Sequence, residues 1–148
     1  MTRADRRSGF LILLVEDNPA DQRLLEEELA CAAHPSELFA VHDGQAALDF
    51  LHRRDPFADV PTPDLVILDL GLPNVDGWEV LSEVKADPLL KRIPVIILSG
   101  SEEPLDVERC LDLHANGYIV KPMDPDGYCD IVDAISRFWF GVATLPSG

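Results

Sequence analysis

The sequence predicts an α/β fold, a doubly wound parallel sheet of five strands with helices on both faces. Three observations carry this. Strand-like and helix-like patterns alternate five times along the chain, the signature of βα units on a parallel sheet. The runs Leu65–Leu68 and Pro94–Leu98 are wholly apolar, as strands covered on both faces require. The 148 residues also suffice for one domain that buries roughly two thirds of its unfolded surface without staples.

Taken in order, Leu11–Val15 is an apolar run that stops at Glu16-Asp17. Asn18-Pro19 reads as a helix start, with Asn as N-cap and Pro in the first turn. Leu24, Leu25 and Leu29 give that helix its apolar stripe, and His34-Pro35 ends it. Leu38–Val41 is a short second strand, followed by a helix from about Gly44 to Arg54 carrying Ala47, Leu48 and Leu51. Pro56, Pro61 and Pro63 mark a surface loop. The third strand, Leu65–Leu68, runs into Asp69, behind which Gly71 and Pro73 break the chain. Asp76-Gly77 leads into a helix with Val80, Leu81 and Val84, ended by Asp87-Pro88. The fourth strand ends at Ser99-Gly100-Ser101, and Pro104 opens a helix through about His114. Gly117–Val120 is the last strand, terminated by Lys121-Pro122. In the final helix Tyr128, Ile131, Val132, Ile135, Phe138 and Trp139 keep a 3.6-residue period throughout.

Composition narrows the function. A net charge of −15 works against nucleic-acid binding, which draws on Lys and Arg neutralising phosphates. No apolar run approaches the ~18 residues of a membrane span, and the first nine residues lack a signal-peptide core. A cytoplasmic chain with no membrane partner is expected, and residues 1–9, with Arg3, Arg6 and Arg7, read as a flexible tail. Cys31, Cys110 and Cys129 form no CxxC or metal-like spacing and are expected to be buried, reduced thiols.

The chemistry lies at the carboxyl ends of the strands. Glu16 and Asp17 follow the first, Asp69 the third, Ser99 the fourth and Lys121 the fifth. Alone, each has an ordinary reading as a turn, cap or surface residue. In a doubly wound sheet these ends share one edge, so the five converge in one crevice. Three crowded carboxylates repel one another, and one protonates unless a cation is present. Oxygen-only ligands favour a hard ion such as Mg²⁺. Such an ion with an ammonium and a hydroxyl suits a phosphoryl group, and a carboxylate can serve as the nucleophile, forming an aspartyl phosphate. No histidine is placed to act as a base, and an ionised carboxylate needs none.

In this order and spacing, Glu16-Asp17, Asp69 before Leu-Gly-Leu-Pro, Ser99-Gly100 and Lys121-Pro122 resemble the receiver domain of two-component response regulators, over about Leu11 to Phe138. The resemblance implies the CheY-like, flavodoxin-like sheet order 2-1-3-4-5. It implies that Asp69 accepts a phosphoryl group from a sensor histidine kinase, the protein being a phosphoacceptor switch and not a turnover enzyme. Asp17, Asp69 and the backbone carbonyl of Gly71 would bind Mg²⁺, with Glu16 assisting through water. Ser99 would hydrogen-bond the phosphoryl group and Lys121 would pair with it, the Lys121–Pro122 bond being cis. Tyr118 matches the switch aromatic that moves inward with Ser99 on activation. Gly71 and Ser101 stand at variable positions that influence phosphoryl lifetime, and Gly71, lacking a side chain, implies a water-accessible phosphoryl group.

The chain ends about ten residues after the last helix, so a stand-alone receiver is expected, passing its phosphoryl group on or binding a target protein. Glu16 to Asp21 together with Phe138-Trp139-Phe140 and Val142 to Pro146 resembles the small regulators paired with phytochrome kinases. Residues 10–140 would form the receiver and 141–148 an apolar extension. Phe138, Trp139, Phe140, Val142 and Leu145 are many apolar residues for a solvated terminus and favour an interface, here a homodimer. The competing reading, a Mg²⁺-dependent phosphatase or phosphotransferase on small molecules, would expect a second carboxylate soon after Asp69, which Leu70-Gly71-Leu72 does not supply. A nucleotide-binding reading lacks a glycine-rich loop after the first strand.

Overall fold

The computed structural model describes residues 9–32, 34 and 36–146. All but Gly9 of the expected N-terminal tail lies outside them. Five strands and five helices alternate: β1 (Phe10–Val15), α1 (Pro19–Ala30), β2 (Ser36–Val41), α2 (Gly44–Leu51), β3 (Leu65–Leu68), α3 (Gly77–Ala86), β4 (Val95–Ser99), α4 (Pro104–Asp112), β5 (Gly117–Val120) and α5 (Gly127–Arg137). The sheet is parallel throughout, in the order β2-β1-β3-β4-β5.

Strand alternation divides the core into two layers. Leu11, Leu13 and Val15 of β1 join Val66 and Leu68 against Ala47, Leu48 and Leu51 of α2, Val80, Leu81 and Val84 of α3, and Cys110 of α4. Ile12, Leu14, Leu65 and Ile67 face the other way, onto Leu25 and Leu29 of α1 and Tyr128, Val132 and Ile135 of α5. The central strands therefore carry apolar residues at every position because both faces are covered.

The helix starts are set by their caps. Asn18 Oδ1 accepts from Ala20 N at 2.9 Å and Asp21 N at 3.2 Å, with Pro19 in the first turn. Asp43 and Asp76 cap α2 and α3 in the same way. Helices α2 and α4 stop short of the sequence expectation, at Leu51 and Asp112, because Arg53 and His114 turn to positive φ just beyond them.

The last helix also departs from its expected period. After Arg137 the backbone widens into a π-turn over Phe138–Val142, which shifts the side-chain register. Phe140 turns inward, 7% exposed, and stacks on Phe10 at 4.3 Å between ring centroids. Phe138 is left 52% exposed. Gly141 permits this path, since a Cβ there would lie 2.7 Å from His34 Nε2. Two of the three cysteines also differ from expectation. Cys110 is buried, but Cys31, which caps the end of α1, and Cys129 on α5 are exposed.

Candidate functional site

Backbone bonds that continue the sheet past the strand ends seat the site residues. Val15 pairs with Leu68 across β1 and β3, and the next amide, Asp69 N, donates to Val15 O at 3.0 Å. Glu16 N donates to Val41 O at 3.0 Å, and Lys121 N to Ser99 O at 2.7 Å. Behind Asp69 the loop folds tightly onto α3. Gly77 N donates to Leu70 O at 3.0 Å, and a Cβ at Gly77 would lie only 2.4 Å from Asp69 O. Glycine is thus required where α3 meets the backbone of the Asp69 loop.

The side chains converge around the Lys121 ammonium. Nζ lies 2.9 Å from Glu16 Oε2, 2.9 Å from Asp21 Oδ2 and 3.0 Å from Asp69 Oδ2. Glu16 is fully buried, and its Oε1 accepts from Asn18 N at 3.1 Å. Burial pushes the Glu16 carboxyl up to about 7, its bond to Lys121 works against this, and the charge of Asp69 adds to it. Burial alone would lower Lys121, but bonds to Glu16, Asp21 and Asp69 hold the ammonium above its ordinary value. Glu16, Asp17 and Asp69 can each bring a carboxylate oxygen to within 4.8 Å of the others. Three carboxylates, those of Glu16, Asp21 and Asp69, thus contact one ammonium, and Asp17 adds a fourth beside Glu16 and Asp69. The all-oxygen donor set and the excess negative charge fit a hard divalent cation.

Ser99 is buried at the end of β4, its Oγ accepting from Ser101 N at 3.2 Å. Ser101 Oγ in turn donates to Asp106 Oδ2 at 2.6 Å, tying the loop to α4. Tyr118 is half-buried against the core, and its hydroxyl donates to Ser101 O at 2.8 Å. Gly71 N donates to Asp69 Oδ1 at 3.3 Å, and a Cβ at Gly71 would meet nothing within 4 Å. A cavity of about 450 Å³ lies at the opposite sheet edge, between His52, Asp64, Arg92 and Pro146, remote from this chemistry.

Glu16, Asp17, Asp69 and Lys121 are brought together, and Ser99 and Tyr118 line the β4 side of the same edge. Two expectations need correction. The cis bond among the described residues is Asp55–Pro56. Lys121–Pro122 is trans, the isomer an X–Pro bond prefers by about 0.5–1 kcal/mol. Of the five residues expected at an interface, Phe140 belongs to the domain's own core, and Trp139 and Leu145 pack beside it. Phe138 and Val142 remain exposed. Sequence reasoning missed Asp21, whose position in the first turn after the N-cap was its only signal, and Tyr128, whose hydroxyl is pushed up by burial and by the neighbouring Asp21 carboxylate from within an apolar stripe.

The profile of the response regulator receiver domain matches residues 12–133. The chain belongs to that family. This receiver is 42% identical over 137 residues to response regulator Rcp1 of Synechocystis sp., covering 93% of each chain. The phosphorylated cyanobacterial phytochrome response regulator RcpA superposes with a TM-score of 0.90 at 46% identity, over 94% of this chain and 99% of that one. The Mn²⁺-bound form of Rcp1 gives 0.88 at 42%, over 93% and 99%. The receiver domain of a sensor histidine kinase from Pseudomonas aeruginosa, with magnesium coordinated in its active-site cleft, gives 0.69 at 29%, over 90% and 99%. Membership places the protein in two-component signalling, among switches and not classical enzymes. No helix among the described residues is long and apolar enough to cross a membrane.

Proposed function

We propose that Asp69 accepts a phosphoryl group from a sensor histidine kinase and that the resulting change at Ser99 and Tyr118 carries the signal. The observation that carries this reading is the meeting of Asp69 with Lys121 at 3.0 Å inside an acidic cluster at the sheet's carboxyl edge. An Asp69 carboxylate oxygen attacks the phosphorus of the kinase's phosphohistidine. The P–O bond forms as the P–N bond breaks, and the leaving imidazole nitrogen keeps the electron pair and takes up a proton. Lys121 moves its hydrogen bonding toward the incoming phosphoryl oxygens, and Ser99 offers its hydroxyl to another.

Asp17, Asp69 and the Gly71 carbonyl would hold Mg²⁺, with Glu16 acting through water. Bound there, the ion supplies charge neutralisation to the transferring group. The likeness to RcpA, a phytochrome response regulator, supports a phytochrome-type kinase as the partner. The lack of a membrane-spanning helix among the described residues is compatible with a cytoplasmic place of action. Residues 10–140 act as the receiver unit and 141–148 as an accessory segment. Exposed Phe138 and Val142 support a homodimer formed through the π-turn.

Incubation with Mg²⁺ and a small phosphodonor tests the core of this reading. One acid-labile phosphate is expected on Asp69, absent from Asp69→Asn. Wild-type protein left unmodified by both donor and kinase, or steady turnover of small phosphoesters, would overturn it.

A further inference from the structure

Asp21 takes no part in the chemistry just described, yet its carboxylate sits as close to the Lys121 ammonium as that of Glu16, at 2.9 Å. Its backbone N–H is held by the Asn18 cap at 3.2 Å, which fixes it in the first turn of α1. From the other side, Tyr128 on α5 is a buried residue, and burial first and the neighbouring Asp21 carboxylate second push its hydroxyl up to about 12. Lys121 Nζ donates hydrogen bonds to Asp21 and Asp69, whereas buried Glu16 Oε2, 2.9 Å away, stands in ion-pair range without an aligned hydrogen bond.

The three are not equivalent once chemistry begins. Phosphorylation turns one Asp69 oxygen into the bridging oxygen of an acyl phosphate and removes the carboxylate's charge, so the Asp69 contact is the one that weakens. Glu16 is committed to the Asn18 amide and the metal side. Asp21 alone combines a first-turn anchor, a contact with Nζ and support from a second helix. A lysine on a flexible four-carbon stem gains most from such an anchor. We propose that Asp21, braced by Tyr128, is the positioning residue for Lys121, holding the ammonium beside the acceptor while Asp69 changes its own bonding. This deepens the acceptor reading of Asp69, on which its phosphorylation arm rests.

The test reads Lys121 directly. In metal-free protein the exchange of the Lys121 Nζ protons, followed by ¹⁵N NMR, speeds up about tenfold in Asp21→Asn, less in Tyr128→Phe, and returns toward wild type in Asp21→Glu. With Mg²⁺ and a small phosphodonor, phosphorylation slows about tenfold in Asp21→Asn, a part of the roughly hundredfold that a 1 Å misplacement can cost, and Asp21→Glu recovers most of the rate. Unchanged Nζ exchange in Asp21→Asn overturns the proposal whatever happens at Asp69. Faster exchange with undiminished phosphorylation overturns it as well. Absence of phosphate from wild-type Asp69 defeats the acceptor reading, and the exchange rates then decide the anchoring on their own. Tyr128→Phe keeps the buried ring, so its exchange rate decides the matter if Asp21→Asn does not fold.

Discussion

Around Asp69 the side chains are crowded on the Lys121 side and open at Gly71. Because a Cβ at Gly71 meets nothing within 4 Å, a larger residue fits there at a cost within about 0.5 kcal/mol, and its side chain covers the acceptor. Gly71→Arg is therefore expected to lengthen the life of the acyl phosphate several-fold, measured by loss of label from purified phosphoprotein. An unchanged lifetime would show that water reaches the phosphorus by another route. The thiols offer a second residue-scale test. Burial pushes Cys110 up to about 11, while neighbouring Glu28 raises exposed Cys129. A thiol reagent near pH 8 should label Cys31 first, Cys129 more slowly and Cys110 only after unfolding, read by mass spectrometry. Raising the pH should speed Cys129, because reaction follows the thiolate. The acceptor, its acidic neighbours and Lys121 were legible because a charged residue closing an apolar run is a strong local signal. Asp21 was not, because an acid in a first helical turn is adequately explained by the helix dipole, and its partner lies 100 residues away.

At the scale of elements, the strands and the Asn18 cap of α1 could be read from short stretches, since apolar runs and an Asn-Pro start act on their own neighbours. The end of α5 could not. Its π-turn is set by Phe10 at the other end of the chain and by His34, through long-range packing that helical periodicity does not encode. The division of the tail follows from that turn. Phe140→Ala is expected to cost about 3–5 kcal/mol, seen as a lower midpoint in urea unfolding. Phe138→Ser combined with Val142→Ser should leave the midpoint nearly unchanged and convert a dimer to a monomer in sedimentation. A dimer that persists in the double variant would move the interface elsewhere.

For the molecule as a whole, the acidic crevice is a place where folding works against charge. The chain carries −15, and four of its carboxylates gather in a crevice where one ammonium, contacted by three of them, partly offsets their charge. A divalent cation that binds only the folded state stabilises it by mass action, by about 2.7 kcal/mol at a hundredfold excess over Kd. Mg²⁺ should raise Tm by several degrees in calorimetry, an increment removed by chelator and absent from Asp17→Asn. The metal-free form of that variant should melt no lower than wild type, because a repelling charge is gone. The same shift in both proteins would place the cation outside the crevice.

The stack of Phe10 on Phe140 has a practical consequence for handling the molecule. Phe10 opens β1 at the amino edge of the sheet, and the segment after Phe140 reaches the cavity of Asp64 and Pro94 at that same edge. The chain thus enters and leaves the domain on the side away from Asp69. A receiver immobilised on a sensor chip by either terminus would present its phosphorylation edge outward. Kinase capture should then be equally efficient in both orientations.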